Sequence, residues 1–260
     1  MTAGRSITIE NNEAVATIVI NRPAVANAID LSMLEEIDAA LAAIELDISA
    51  RCIVFTGQGS VFSAGGDIAE MRRLSVSEGE AFVATGQSLL DRISASHLVV
   101  IAALNGHTLG GGLELALACD IRIADARAKI GFPEVGLGLI PGWGGTQRAA
   151  RLVGYSRACL FILTGERLGA TAAAALGLVD RVVDPGTALL EAKQLAGRIA
   201  VNSPSAISAS KRALAAALRR GYDDGLREER DAWRSAFATN DRVEGLTAFL
   251  EKRAPRWTNS

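Results

Sequence analysis

The sequence predicts an α/β domain with a mainly parallel sheet, followed by a helical tail. Three observations carry that expectation. Short continuous apolar runs bounded by turn residues alternate with stretches of helical spacing, the pattern of strands buried on both faces and joined by helices. Glycine outnumbers proline 26 to 6 and gathers where the apolar runs end, as close backbone approaches require. From about residue 146 onward helical stretches dominate, with a break near Thr187. The expected division is a core over residues 1–190 and a helical region over 191–260.

Strand-like runs open the chain at residues 6–10 and Val15–Ile20, the second closed by Asn21, Arg22 and Pro23. Over Leu31–Leu46 the apolar residues Met33, Leu34, Ile37, Leu41 and Ile44 fall on one helical face, and Asp30 is placed to cap the start. A buried strand follows at 52–56, ended by Gly57, and then a turn-rich stretch at 57–67. A helix is expected around 80–93, a second buried strand at 98–104, and an apolar helix at 113–119 after three glycines at 110–112. Two short strands are expected within 120–125 and 128–132, then a glycine-rich loop at 133–145. Helical spacing recurs at 146–152, 156–164, 170–176, 189–201, 204–220, 225–237 and 241–252. The last three stretches are charged on one side, which suits a surface or a neighbouring subunit. There is no internal sequence repeat.

Composition narrows the function classes. With 260 residues the chain buries a sizeable core without disulfides or metals. The net charge is −2 and no long basic run exists, so nothing supports nucleic-acid binding. Cys52, Cys119 and Cys159 lack metal spacing and suit a reducing compartment as small apolar groups. No signal-peptide or transit-peptide pattern stands at the N-terminus, and no run approaches the roughly 18 apolar residues of a membrane helix. The cytoplasm is the expected location, with no membrane partner.

Four segments are equipped for chemistry. At 104–119 a strand runs into three glycines and a helix, whose first N–H groups lack internal partners and lie at the electropositive end. Glycine there lets a ligand oxygen reach the backbone, although a tight strand–helix junction explains it equally. Glu114 sits just inside that helix among Leu113, Leu115, Ala116, Leu117 and Ala118, so burial should raise its pKa towards the range useful for proton transfer. A helix-capping glutamate is the plainer alternative. Glu134 lies in the loop at 133–145, where taken alone it reads as a solvated loop glutamate; it gains meaning as the partner of Glu114, since two carboxyls around one water can divide acid and base roles. The third segment, with the Gly65-Gly66-Asp67 turn, offers another free N–H, while Asp67 itself suits a bond to the turn backbone. The fourth, at 241–257, is an amphipathic helix with a basic end that would serve simply as a docking tail. His97 and His107 have no clustered partners and read as structural.

Taken in order, these segments resemble the crotonase superfamily of enoyl-CoA hydratases and isomerases. The resemblance rests on Asn-Arg-Pro at 21–23, Ala64 to Asp67, Gly110 to Glu114, Pro133-Glu134, the run 141–148 and the run 241–253, and so spans nearly the whole chain. It implies a spiral of ββα units with a C-terminal helical trimerisation region, assembled as a homotrimer or homohexamer. It implies an acyl-CoA substrate, with coenzyme A as part of the substrate and no separate cofactor or metal. By likeness, the thioester oxygen would sit between the N–H groups of Gly66 and Gly111. Glu114 would activate water for addition to C3, and protonated Glu134 would supply C2. Coenzyme A contacts are expected along Ala64, Gly65, Gly66, Asp67 and Ile68, with Phe249 and Lys252 reaching over from a neighbouring subunit.

The chain departs from the pattern of many hydratases at Ala24 and Ala69, where lysines are common; Arg22 and Arg72 are the cations at hand to replace them. Trp143 is a bulky choice that would narrow the acyl pocket. Within the same family, an isomerase or a specialised acyl-CoA lyase or hydrolase is the alternative, and a non-catalytic acyl-CoA-binding or scaffold protein a remote one. A short-chain dehydrogenase fits worse. The glycines from Gly106 to Gly112 follow more than 100 residues instead of a first strand, and Tyr155 and Tyr222 are followed at the required spacing by Cys159 and Leu226, not Lys.

Overall fold

The structure, a computed structural model, describes residues 6–260. Strands β1 (Ile7–Asn12) and β2 (Val15–Ile20) form an antiparallel hairpin. Helix α1 (Leu31–Leu46) begins where the Asp30 side chain accepts the Met33 N–H, and it buries the five apolar residues its spacing singled out. Next come β3 (Cys52–Gly57), β4 (Val61–Ser63), the single turn α2 (Ile68–Met71) and α3 (Val76–Ala95). β5 (Val99–Leu104), β6 (His107–Leu109) and α4 (Gly111–Ala118) follow. Then the chain forms β7 (Ile121–Asp125), β8 (Lys129–Gly131), a 3-10 turn (Glu134–Leu137), α5 (Gly145–Val153) and α6 (Tyr155–Thr164). β9 (Arg167–Gly169), α7 (Ala170–Leu176) and β10 (Arg181–Val183) close this part. Four helices end the chain: α8 (Ala188–Ala200), α9 (Pro204–Arg219), α10 (Tyr222–Phe237) and α11 (Asn240–Glu251).

One sheet has the order β1-β2-β3-β5-β7-β10, parallel from β2 onward; the other has β4-β6-β8-β9, parallel except for β9. The chain therefore winds repeatedly through a strand of the first sheet, a strand of the second and a helix: β3-β4-α3, β5-β6-α4, β7-β8-α5. That is a spiral of ββα units. The winding is invisible as a sequence repeat because each second-sheet strand is only three residues long, too short to show a period. For the same reason β4, β6, β9 and β10, each three residues long, are not among the strands that the sequence pattern predicts.

Alternation explains the continuous apolar strands. Ile53 and Phe55 of β3, with Val100, Ala102 and Leu104 of β5, face the main core beneath α1, α3 and α4. Their neighbours Cys52, Val54, Val99, Ile101 and Ala103 face a smaller core, where α8 covers the sheet with Ala192 and Ala196. Burial pushes the Cys52 and Cys119 thiols up to about 12, so both stay neutral and behave as apolar groups. Helix α3 starts four residues before its apolar spacing begins, because Ser75 and Glu78 form a reciprocal capping box. No helix among the described residues is long and apolar enough to cross a membrane.

Candidate active site

Second-sheet strands end at the two turns that build the site. β6 runs into Gly110, whose φ of 51° and ψ of −128° suit glycine, and whose N–H is used by the Gly131 carbonyl at 3.0 Å. Gly111 is the first residue of α4, so its N–H has no partner within the helix. The turn after β4 lies against it: a Cβ on Gly65 would stand 3.0 Å from the Gly111 nitrogen. Ile29 bridges this turn, donating to the Gly65 carbonyl at 2.8 Å and accepting from the Asp67 N–H at 2.9 Å. In a parallel bridge the middle residue points its own N–H the other way, leaving that of Gly66 unused. Neither Gly66 nor Gly111 donates a hydrogen bond among the described residues.

Two carboxyls accompany these amides. Glu114 is 2% exposed in a helix buried along all eight residues, and its Oε1 accepts the Gly145 N–H at 2.6 Å. Burial raises its pKa to about 7; repulsion from Glu134 adds to the rise, while the Gly145 N–H and the Arg148 charge oppose it. Glu134 opens the 3-10 turn after Pro133, and its Oε1 lies 3.0 Å from where a Gly110 Cβ would be. Burial lifts its pKa to about 7 as well. Its Oε2 is buried with no hydrogen-bond partner. A buried unpaired carboxyl oxygen is costly and marks a place where a ligand or water is expected.

The loop at 141–145 is held from outside. Arg148 donates to the Trp143 carbonyl at 2.8 Å and pairs with Asp91 of α3 at 2.7 Å. Gly145 must lack a side chain, since its Cβ would fall 2.9 Å from the Glu114 Oε1 and 2.8 Å from the Phe132 ring.

Of the residues singled out from sequence, Glu114, Glu134, Gly110, Gly111, Gly65 and Gly66 come together. Ala64 and Ile68 are exposed at either side of the Gly65–Gly66 turn. Asp67 caps α2 by accepting from Ala69 and Glu70. Arg22 is not available to replace a lysine. Its guanidinium pairs with Asp67 and Asp30, each at 3.0 Å, and donates to the Ala28 carbonyl at 2.7 Å, so it braces the turn instead. Arg72 is exposed at the end of α2. Phe249 is 81% exposed on α11, and Lys252 is exposed at that helix's end; neither reaches the carboxyl pair within this chain. His97 and His107 are exposed. Sequence reasoning missed the partnership of Trp143 with Gly86, although a glycine inside the α3 pattern was the available signal. Among the described residues no cluster of His, Cys, Asp and Glu forms a metal site.

Comparison with known proteins gives a consistent result. The family model described as enoyl-CoA hydratase/isomerase matches residues 10–260. The chain is 41% identical over 249 residues to the short-chain-enoyl-CoA hydratase of Clostridium acetobutylicum, covering 95% of each. It is 44% identical over 252 residues to the crotonyl-CoA hydratase of Syntrophomonas wolfei, covering 96% of this chain and 97% of that one. The crystal structure of enoyl-CoA hydratase from Bacillus anthracis superposes with a TM-score of 0.95 at 37% identity, covering 98% of this chain and 100% of that one.

Proposed function

The chain belongs to the enoyl-CoA hydratase/isomerase family, and from that premise we propose that it adds water across C2=C3 of a 2-enoyl-CoA to give the 3-hydroxyacyl-CoA. The observation that carries the reaction type is the carboxyl pair. Glu114 and Glu134 both have pKa values of about 7, beside two unengaged backbone amides. Two carboxyls with values near neutrality let one be charged while the other is protonated, as an acid–base pair requires.

In this mechanism the thioester oxygen accepts hydrogen bonds from Gly66 and Gly111. Addition at C3 pushes electrons through C2 onto that oxygen, and one such backbone donor is typically worth about 2.7–4 kcal/mol. Ionised Glu114, held by the Gly145 N–H, takes a proton from water as its oxygen bonds to C3. Protonated Glu134 delivers its proton to C2, and one proton passing between the two carboxyls restores the starting state. Coenzyme A is substrate here, and the reaction calls for no further cofactor. Its carrier portion would lie along Ala64, Gly65, Gly66, Asp67 and Ile68, with the exposed Arg72 nearby. Phe249 and Lys252 would close over it from a neighbouring copy in a homotrimer or a pair of trimers. Supporting that assembly, α9 to α11 leave Leu214, Tyr222, Phe249 and Leu250 largely exposed.

The test follows loss of the conjugated enoyl-thioester absorbance with purified protein and its Glu114→Gln and Glu134→Gln variants. Formation of 3-hydroxyacyl-CoA, lost in both variants, is expected. Absence of that product with acyl-CoA still bound would move the assignment to another reaction of the family.

A further inference from the structure

Trp143 is a large residue for which the backbone has made room on two sides. A Cβ on Gly86 of α3 would lie 2.3 Å from the indole, and one on Gly111 would lie 2.4 Å from its Cζ3. Phe82, one helical turn before Gly86, meets the indole edge-on with ring centroids 5.3 Å apart. The indole is 4% exposed and its main-chain carbonyl is tied to Arg148, so it is a fixed wall and not a mobile flap.

The wall continues to the second amide. A Cβ on Gly66 would lie 3.4 Å from the Met71 methyl and 3.8 Å from the Phe82 ring. Met71, Phe82 and Trp143 thus form one apolar surface touching both peptide units that carry the free N–H groups. Trp143 also stands two residues before Gly145, which holds the Glu114 carboxyl. On the hydratase reading, which this inference takes for the position of the thioester carbonyl, C2 and C3 lie between those amides and the carboxyls. The acyl carbons beyond C3 then have to pass the indole.

We propose that Trp143 sets the acyl-chain limit of this enzyme, restricting it to short 2-enoyl thioesters. Gly86 and Gly111 are part of the same device, because a side chain at either would displace the indole. One methylene too many against a rigid apolar wall costs about 10–200-fold in discrimination, and replacing the indole by a methyl group opens space that packing does not fully recover.

The experiment measures kcat/KM for straight-chain 2-enoyl-CoAs of four to twelve carbons with wild type, Trp143→Phe and Trp143→Ala. Dissociation constants of the matching saturated acyl-CoAs are measured in parallel. Wild type should favour four over eight carbons, and Trp143→Ala should raise the eight-to-four ratio at least about tenfold, with Trp143→Phe between them. Equal handling of both lengths by wild type, or a ratio unmoved in both variants, overturns the proposal. If Trp143→Ala does not fold, Trp143→Phe, which keeps an aromatic contact with Phe82, must still move the ratio the same way. Chain-length discrimination in binding without any hydration would uphold the wall and overturn the hydratase assignment, so the two fail separately.

Discussion

Glu114 and Glu134 resist ionisation mainly because both are buried, and repulsion from Glu134 adds to the effect at Glu114. Glu114→Gln and Glu134→Gln keep the shape and remove the proton transfer, so each should lower kcat by at least about 10²-fold while acyl-CoA binding survives. Near-normal turnover in either variant would sink the pairing. The pH profile of kcat/KM should be bell-shaped around neutrality, since catalysis needs one carboxyl charged and one protonated. Stability follows the opposite logic to an ion-paired acid. Both folded values, about 7, lie above the ordinary 4.5, so between these the folded chain holds protons that the unfolded chain has released. Ionising the pair therefore costs stability as pH rises from 4.5 through about 7, and the cost is complete above it. The melting temperature of Glu114→Gln should exceed wild type at about pH 8 and lose that advantage near pH 4; a constant offset at both would refute the linkage.

At the level of elements, the site depends on turns that meet backbone to backbone. The junction of β6 and α4 needs glycine three times over: Gly110 for its dihedrals, Gly111 for the indole of Trp143, and Gly112 because its Cβ would fall 2.6 Å from that of Ser63. The tight strand–helix junction that the sequence allowed for is therefore present, and it leaves the Gly111 N–H without a partner among the described residues. Gly145→Ala probes this coupling, since its methyl would collide with the Glu114 carboxyl and the Phe132 ring. It should lower kcat with little change in acyl-CoA affinity; unchanged kcat would show that the α5 start does not position Glu114. Away from the site, Ser75→Ala removes the capping box of α3 and should cost about 1 kcal/mol in denaturant unfolding without altering turnover.

Across the whole molecule, polar contacts tie the helical region to the core, among them Lys193 with Glu10 and Arg151 with the Leu218 carbonyl. Lys211 of α9 donates to the Leu98 carbonyl at 2.8 Å and pairs with Asp120 at 2.7 Å, at the entry to β5 and β7. Beyond it, α10 and α11 carry apolar side chains that this chain does not cover. In the proposed trimer, α11 of one copy would reach the Ala64–Ile68 turn of the next, which would give those side chains a partner and bring Phe249 and Lys252 to the coenzyme. Phe249→Ala should then raise KM for acyl-CoA with kcat largely kept, and light scattering should report a trimer or hexamer. A fully active monomer would rule the shared site out.

The sequence by itself determined the long elements and singled out Glu114 and Glu134, which the fold buries beside the same glycine turn. Helix α1 and strand β2 stand where their spacing put them, because period 3.6 and unbroken apolar runs are local signals that burial reinforces. The resemblance named Glu114, Glu134, Gly66 and Gly111 because the motifs around them are short and contiguous. Only the tertiary structure decided the rest. The three-residue strands of the second sheet owe their form to pairing partners far along the chain, not to local preference. Arg22 looked free for a ligand until Asp30 and Asp67 were brought to it. The seat of Trp143 exists because Gly86, Gly111 and Phe82 converge from two helices, and no spacing in one dimension encodes a cavity closed from three directions.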